Sequence, residues 1–182
     1  MWIILLVIIA VVAVWFIGTY NGFINLKNKV EEAFSTMDVY LVKRYDLIPN
    51  LVSTVKGYAK HESETLENVI KARNAAVSAT TPAAKIESEN QLTSVLTKFM
   101  ALSESYPDLK ANTNFIDLQE QLKSMEGEIA NARKYYNGVV KQFNTKVQTI
   151  PSNIVAGLCK FEKQPLFVVK EETQRENVKV EF

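Results

Sequence analysis

The run FIDLQEQLKSMEGEIANARKYYNGVVKQF, from Phe115 to Phe143, decides the fold class. Its apolar residues fall at Phe115, Leu118, Leu122, Met125, Ile129, Ala132, Tyr136, Val139 and Phe143, a spacing that alternates three and four without a miss. An α-helix puts all of these on one face, and the strict alternation predicts a seam packed in coiled-coil geometry. Almost everything between them is polar. Such a helix buries a narrow stripe and leaves the rest in water, as at the outside of an antiparallel bundle. The register buries Leu122 and Ile129 and exposes Glu120 and Lys123, and Pro151 should stop the helix at about Ile150.

Upstream the same spacing returns at Val30, Phe34, Met37, Leu41, Arg44, Ile48, Leu51, Val55 and Tyr58. This second long helix also carries Val39, Tyr40, Val42, Leu47 and Val52 off the seam, an arc wide enough to predict a central helix covered on several sides. Pro49 removes the hydrogen bond to the carbonyl of Tyr45, but the heptad phase holds across it, so one bent helix is expected. Arg44 stands on the seam and must find a carboxylate on a facing helix or a carbonyl freed near Pro49. Tyr45 competes for the same seam position, which would leave Arg44 at the margin with its head in water.

Shorter helices lie between the two. Leu66, Val69, Ile70, Arg73 and Val77 give one stripe; Thr81 before Pro82 then reads as an N-cap opening a helix with Leu92, Val95, Leu96, Phe99 and Leu102, ended by Tyr106 and Pro107. From 161 to 182 the chain reads as a partly extended or flexible tail, with Val178, Val180 and Phe182 in alternation.

At the other end, Trp2 to Tyr20 is nineteen residues without a charge. As a helix it is about 28 Å long, close to the hydrocarbon thickness of a bilayer. Trp2 at one end and Trp15, Phe16 and Tyr20 at the other suit the headgroup regions. No basic residue precedes the run and no small-x-small site follows it, so the reading is a retained anchor and not a cleaved signal peptide. Lys27 and Lys29, with Lys43 and Arg44 further on, place the main domain in the cytoplasm and the N-terminus outside. The expected division is a transmembrane anchor at 1–20, a helical bundle at 21–160 and the tail at 161–182. The whole is an all-α protein: a single N-terminal transmembrane helix followed by an elongated antiparallel helical bundle.

Searching for chemistry yields little. There is one histidine, His61, and one cysteine, Cys159, which reads as a packed small apolar residue. Neither a thiolate metal cage, a two-histidine site nor a cysteine–histidine pair can be built within one chain. The glycines Gly18, Gly22, Gly57, Gly127, Gly138 and Gly157 stand singly and form no phosphate-cradling loop. The carboxylates at Glu62 and Glu67, Glu87 and Glu89, and Glu126 and Glu128 read as solvated charged faces. With 21 basic and 20 acidic residues interleaved along the helices, no stripe fits a nucleic-acid backbone. No catalytic, cofactor-binding or metal-ligating residue, and no small-molecule substrate, is expected.

The stretch KRYDLIPNLVSTVKGYAKHE, Lys43 to Glu62, strongly resembles the signature of the LemA family of bacterial membrane proteins. The likeness extends through Tyr20, Asn21, Val30, Ala33, Asp38 and Val39 upstream and Val69, Ala72 and Arg73 downstream. YPDLKAN from Tyr106 with Phe115 and Leu118, then ARKYYN from Ala132 with Phe143 and Asn144, resemble a second block, and the closing VKVEF is similar to the family's usual end. Two positions depart from the pattern: Phe34 stands where it has Trp, and Lys160 where it has Gly. The resemblance implies a membrane-tethered antiparallel helical bundle with its N-terminus outside. About activity it implies little; some members are described in connection with membrane organelles such as magnetosomes.

Two functions therefore compete. One is a structural or scaffolding protein, suited to homo-oligomers, in which a helix of about forty residues holds partners roughly 60 Å from the bilayer. The other is a regulatory partner of another membrane protein, such as a membrane protease or transporter, docking through the wide apolar face of the first helix. An enzyme is disfavoured for want of a nucleophile, metal or acid–base set.

Overall fold

The computed structural model describes residues 1–59 and 61–168, and these contain helices and no strand. The helices are α1 (Trp2–Lys56), α2 (Ser63–Ser78), α3 (Pro82–Ser103), α4 (Pro107–Lys110), α5 (Thr113–Gln148) and α6 (Ser152–Leu158). The expected alternation at Val178, Val180 and Phe182 lies outside the described residues. The chain divides into two compact units: Met1–Leu41 with Met125–Leu166, and Val42–Ser124 with Phe167 and Val168 among the described residues.

In the first unit, the early part of α1 packs against the later part of α5 and against Phe161, just after α6. Phe34 meets Tyr136 with ring centroids 5.8 Å apart, and Phe23 meets Phe143 at 6.0 Å. Residue numbers fall along one helix as they rise along the other, so the pair is antiparallel. The seam residues Val30, Met37 and Leu41, with Phe23 and Ala33 beside them, are buried, as are Ile129, Ala132, Tyr136, Val139 and Phe143 of α5, while Phe34 is half-buried. Each large apolar side chain removed from water here contributes about 1.5–3 kcal/mol. The side chains from Met1 to Trp15 are exposed.

The second unit is built from the end of α1, α2, α3, α4 and the start of α5. Ile48, Leu51, Val55, Leu66, Val69, Leu92, Leu96, Phe99, Leu109, Phe115 and Leu122 form its core. The Thr81 hydroxyl accepts from the Ala84 N–H at 3.2 Å with Pro82 in the first turn, the expected cap of α3. Asn112 caps α5 by accepting from the Phe115 N–H at 3.0 Å, and its amide donates to the Tyr58 hydroxyl at 2.8 Å.

α1 runs unbroken through Pro49. The carbonyl of Tyr45, which Pro49 cannot satisfy, accepts instead from Nε of Arg73 on α2 at 3.3 Å.

Three expectations are corrected. Val39 and Val42 are 53% and 46% exposed, so α1 is not covered on several sides there. Tyr40, Leu47 and Val52 are half-buried, so the neighbouring helices cover part of the wide arc and leave its edge at Val39 and Val42 open. α5 ends at Gln148, two residues short of Ile150, because Ser152 Oγ takes the Lys146 carbonyl at 2.7 Å as the chain turns. In α2 the last buried position is Ala76, while Val77 points outward.

Candidate functional site

Continuing the stripe of α3 backward from Phe99, Leu96 and Leu92 by alternate steps of three and four reaches Glu89 and then Lys85. Both are buried. The two carboxylate oxygens of Glu89 are engaged separately: Oε2 accepts from the Arg44 guanidinium and Oε1 from the Tyr45 hydroxyl. Arg44 Nη1 also donates to the Thr93 hydroxyl at 3.4 Å. Lys85 Nζ donates to the carbonyl of Ala76 at 3.1 Å and lies 5.2 Å from the centre of the Tyr45 ring.

Arg44 and Tyr45, rivals for one seam position in the sequence, thus both point inward and share one carboxylate. The reading of Glu87 and Glu89 as a solvated face is corrected at Glu89. Two residues apart on a helix lie on nearly opposite sides, so Glu87 is exposed while Glu89 is enclosed. The missed signal was the seam phase, which places 85 and 89 in line with Leu92 and Leu96.

Taking a guanidinium and a carboxylate out of water costs several kcal/mol per ion and is offset only when geometry and hydrogen bonds are good. Here the acid binds a cation and a phenol at once. The arrangement commits its polar groups to one another and fixes the register of α1 on α3.

In the same unit, a groove of about 710 Å³ lies between the end of α1 and α2, with Val52, Leu66 and Ile70 as its apolar lining and Lys56, Glu67 and Lys71 beside them. His61 is exposed and Cys159 half-buried. Among the described residues no three His, Cys, Asp or Glu side chains converge on a point that would hold a metal ion.

The second cluster belongs to the first unit and surrounds Phe23, three residues beyond Tyr20. Phe161 stacks on Phe23 with centroids 4.7 Å apart and planes at 16°, and Tyr20 tilts against Phe161 at 5.8 Å. Lys146 Nζ sits 4.8 Å from the centre of the Phe23 ring on its way past Gly22, and burial lowers its pKa from 10.5.

A Schellman turn delivers Phe161. Its N–H reaches the carbonyl of Ala156 at 2.9 Å, the Lys160 N–H reaches Gly157 at 3.4 Å, and Lys160 takes φ 56° between them. That left-handed position is where the LemA pattern has Gly. The chain after it is held along α5 by residues of the second signature block. Asn144 exchanges two hydrogen bonds of 2.8 Å with the backbone of Gln164, and Tyr136 donates to the Pro165 carbonyl at 2.9 Å.

The family model described as LemA family matches residues 33–182. "Protein LemA" of Metamycoplasma hominis is 27% identical over 145 residues, 78% of this chain and 65% of that protein. The chain thus spans just under two thirds of that relative's length. "Magnetosome protein MamQ 2" and "Magnetosome protein MamQ 1" of Paramagnetospirillum magneticum are each 22% identical over 196 residues, 91% of this chain and 72% of each.

Proposed function

The chain belongs to the LemA family, and from that membership we propose that it is a structural, scaffolding protein of the cell membrane, anchored by the start of α1 and assembling with copies of itself. One observation carries this reading. The helix that holds the apolar stretch continues without a linker into the packed domain, where Phe23 is already wholly buried. A head meant to search for substrate is better served by a flexible tether. A domain fused to its span through one helix instead holds its position and orientation relative to the bilayer. Val39 and Val42, exposed three apart on α1, supply an apolar strip for contact between copies.

The N-terminus lies outside and the domain in the cytoplasm, on the strength of Lys27 and Lys29. The groove lined by Val52, Leu66 and Ile70 supports a second reading, in which a segment of another membrane protein docks there for regulation.

Both aspects are testable in one strain background, Cys159→Ser. A cysteine at Thr81 should resist a membrane-impermeant maleimide in intact cells and react after permeabilisation; reaction from outside reverses the orientation. A cysteine at Val39 should give disulfide-linked dimers in native membranes. Monomers that co-purify with one stoichiometric foreign protein would replace the scaffold by the second reading.

A further inference from the structure

α6 and the turn before it carry an exposed apolar row that the fold does not use. Ile150, Ile154 and Leu158 are spaced by four and are 83%, 55% and 70% exposed, while Val155 and Ala156 on the other face are buried. Their position is fixed by Phe23. Lys146, in the last turn of α5, lies over one part of that ring, and Phe161, just after α6, stacks upon it. The chain therefore leaves the level of residues 20–23 at the end of α5 and has returned to it by Phe161. The segment between them is tied at both ends to this level.

That level is the end of the apolar stretch of residues 2–20. Phe16 and Thr19, on the face of α1 that leads to Phe23, are already half-buried, whereas the side chains from Met1 to Trp15 are exposed. Protein cover thus overlaps the last turn of the apolar helix. Lys160 and Lys163 are exposed at the C-terminal end of the segment, with Glu162 between them.

We propose that α6 with its preceding turn is a second membrane contact: it lies in the interface of the leaflet where the span ends, Ile150, Ile154 and Leu158 facing the acyl chains and Lys160 and Lys163 the anionic headgroups. This rests on the reading of residues 2–20 as a bilayer span. Continuity with that span selects lipid as the occupant. An aliphatic row at the edge of a transmembrane helix meets the bilayer before any other partner, and interfacial helices combine such a row with flanking cations. It makes the domain's attachment two-point, so the bundle neither rotates about its anchor nor lifts from the surface.

The test uses the full chain, with Cys159→Ser, reconstituted in phosphatidylcholine–phosphatidylglycerol vesicles. A polarity-sensitive fluorophore is placed on one cysteine at a time: Leu158→Cys, Ile9→Cys within the span, and Glu120→Cys on the exposed face of α5. The quenchers are a nitroxide near the headgroup end of the lipid acyl chain and aqueous iodide. The label at 158 should shift to the blue and be quenched roughly twofold by the lipid nitroxide, as for a group about 5–10 Å below the headgroups, while the label at 120 responds only to iodide. A label at 158 that iodide quenches freely overturns the proposal, and so does one shielded from both quenchers, which would mean a protein partner on this face. In either case a lipid-quenched label at 9 leaves the anchor standing. A label at 9 untouched by lipid nitroxides removes the anchor and this inference together.

Discussion

Glu89→Ala should be among the most destabilising single changes in the chain. The substitution leaves the Arg44 guanidinium buried without its carboxylate and takes the acceptor from the Tyr45 hydroxyl. Breaking one side of a buried ion pair costs about 3–5 kcal/mol. For a urea slope of about 2 kcal/mol/M, a loss of about 4 kcal/mol lowers the unfolding midpoint by roughly 2 M. The assay is helical circular dichroism of the full chain in detergent micelles, with Glu87→Ala as the exposed control on the same helix, expected to change stability by less than about 0.5 kcal/mol. A second arm separates the pair from its parts. Replacing Arg44 and Glu89 together by Met removes both charges, and the double variant should recover most of what Glu89→Ala loses. The reasoning fails if Glu89→Ala and Glu87→Ala unfold at the same midpoint. It fails too if the double Met variant is as unstable as the sum of the single ones.

Lys160 pays for its φ of 56° with a Cβ in the left-handed region, so Lys160→Gly should stabilise by about 0.5–1 kcal/mol while Lys160→Ala, which keeps the Cβ, gains nothing; equal midpoints for the two would refute this. Tyr136 is pushed above its ordinary pKa of 10.0 by burial, so the neutral phenol stabilises the fold below that pH and the contribution is lost as pH rises through the higher folded value. Tyr136→Phe, which also orphans the Pro165 carbonyl, should cost about 1 kcal/mol near neutrality. The gap to the parent should shrink in unfolding scans at about pH 11, and a gap constant with pH would sink the argument.

The helices were legible because they obey one rule throughout. Along the alternating positions from Val30 to Val55 and from Phe115 to Phe143 the structure buries the apolar side chains or leaves them at the edge of burial. Tyr58 at the end of the first seam and Val77 at the end of the α2 stripe are exposed, because those stripes run past the helices that cover them. The cap at Thr81 and the burial of Arg44 followed from equally local physics. Glu89 was not legible by residue type, since a glutamate between Ser88 and Asn90 looks like surface until the seam of α3 is carried past its last apolar member. Val39 and Val42 misled in the opposite direction. Their apolarity widened the predicted buried arc, but burial depends on which neighbours arrive, and periodicity in one helix does not say how many will. The row on α6 was hidden for a related reason. Seven residues are too short for a periodic argument, and its meaning comes from where Phe161 returns, which the sequence records only as an aromatic after a lysine.

The residues of the signature fit together as a solution to one difficulty. A proline at 49 leaves the Tyr45 carbonyl without its helical donor in the middle of a core, where an unpaired acceptor is costly. Arg73, also part of the family resemblance, supplies the donor from α2. Tyr45 meanwhile uses its hydroxyl, and Arg44 its guanidinium, on Glu89, the buried acid of α3. Within two consecutive residues, α1 is thereby tied to α2 through backbone and to α3 through side chains. The pattern Arg-Tyr-Asp-Leu-Ile-Pro ties three helices together because the proline frees an acceptor that Arg73 of α2 fills, while Arg44 and Tyr45 donate to Glu89 of α3. A hydrophobic seam alone tolerates sliding by a turn; these directional bonds do not, since a shift of four residues would carry Arg44 and Tyr45 about 6 Å from Glu89 and leave several polar groups buried without partners.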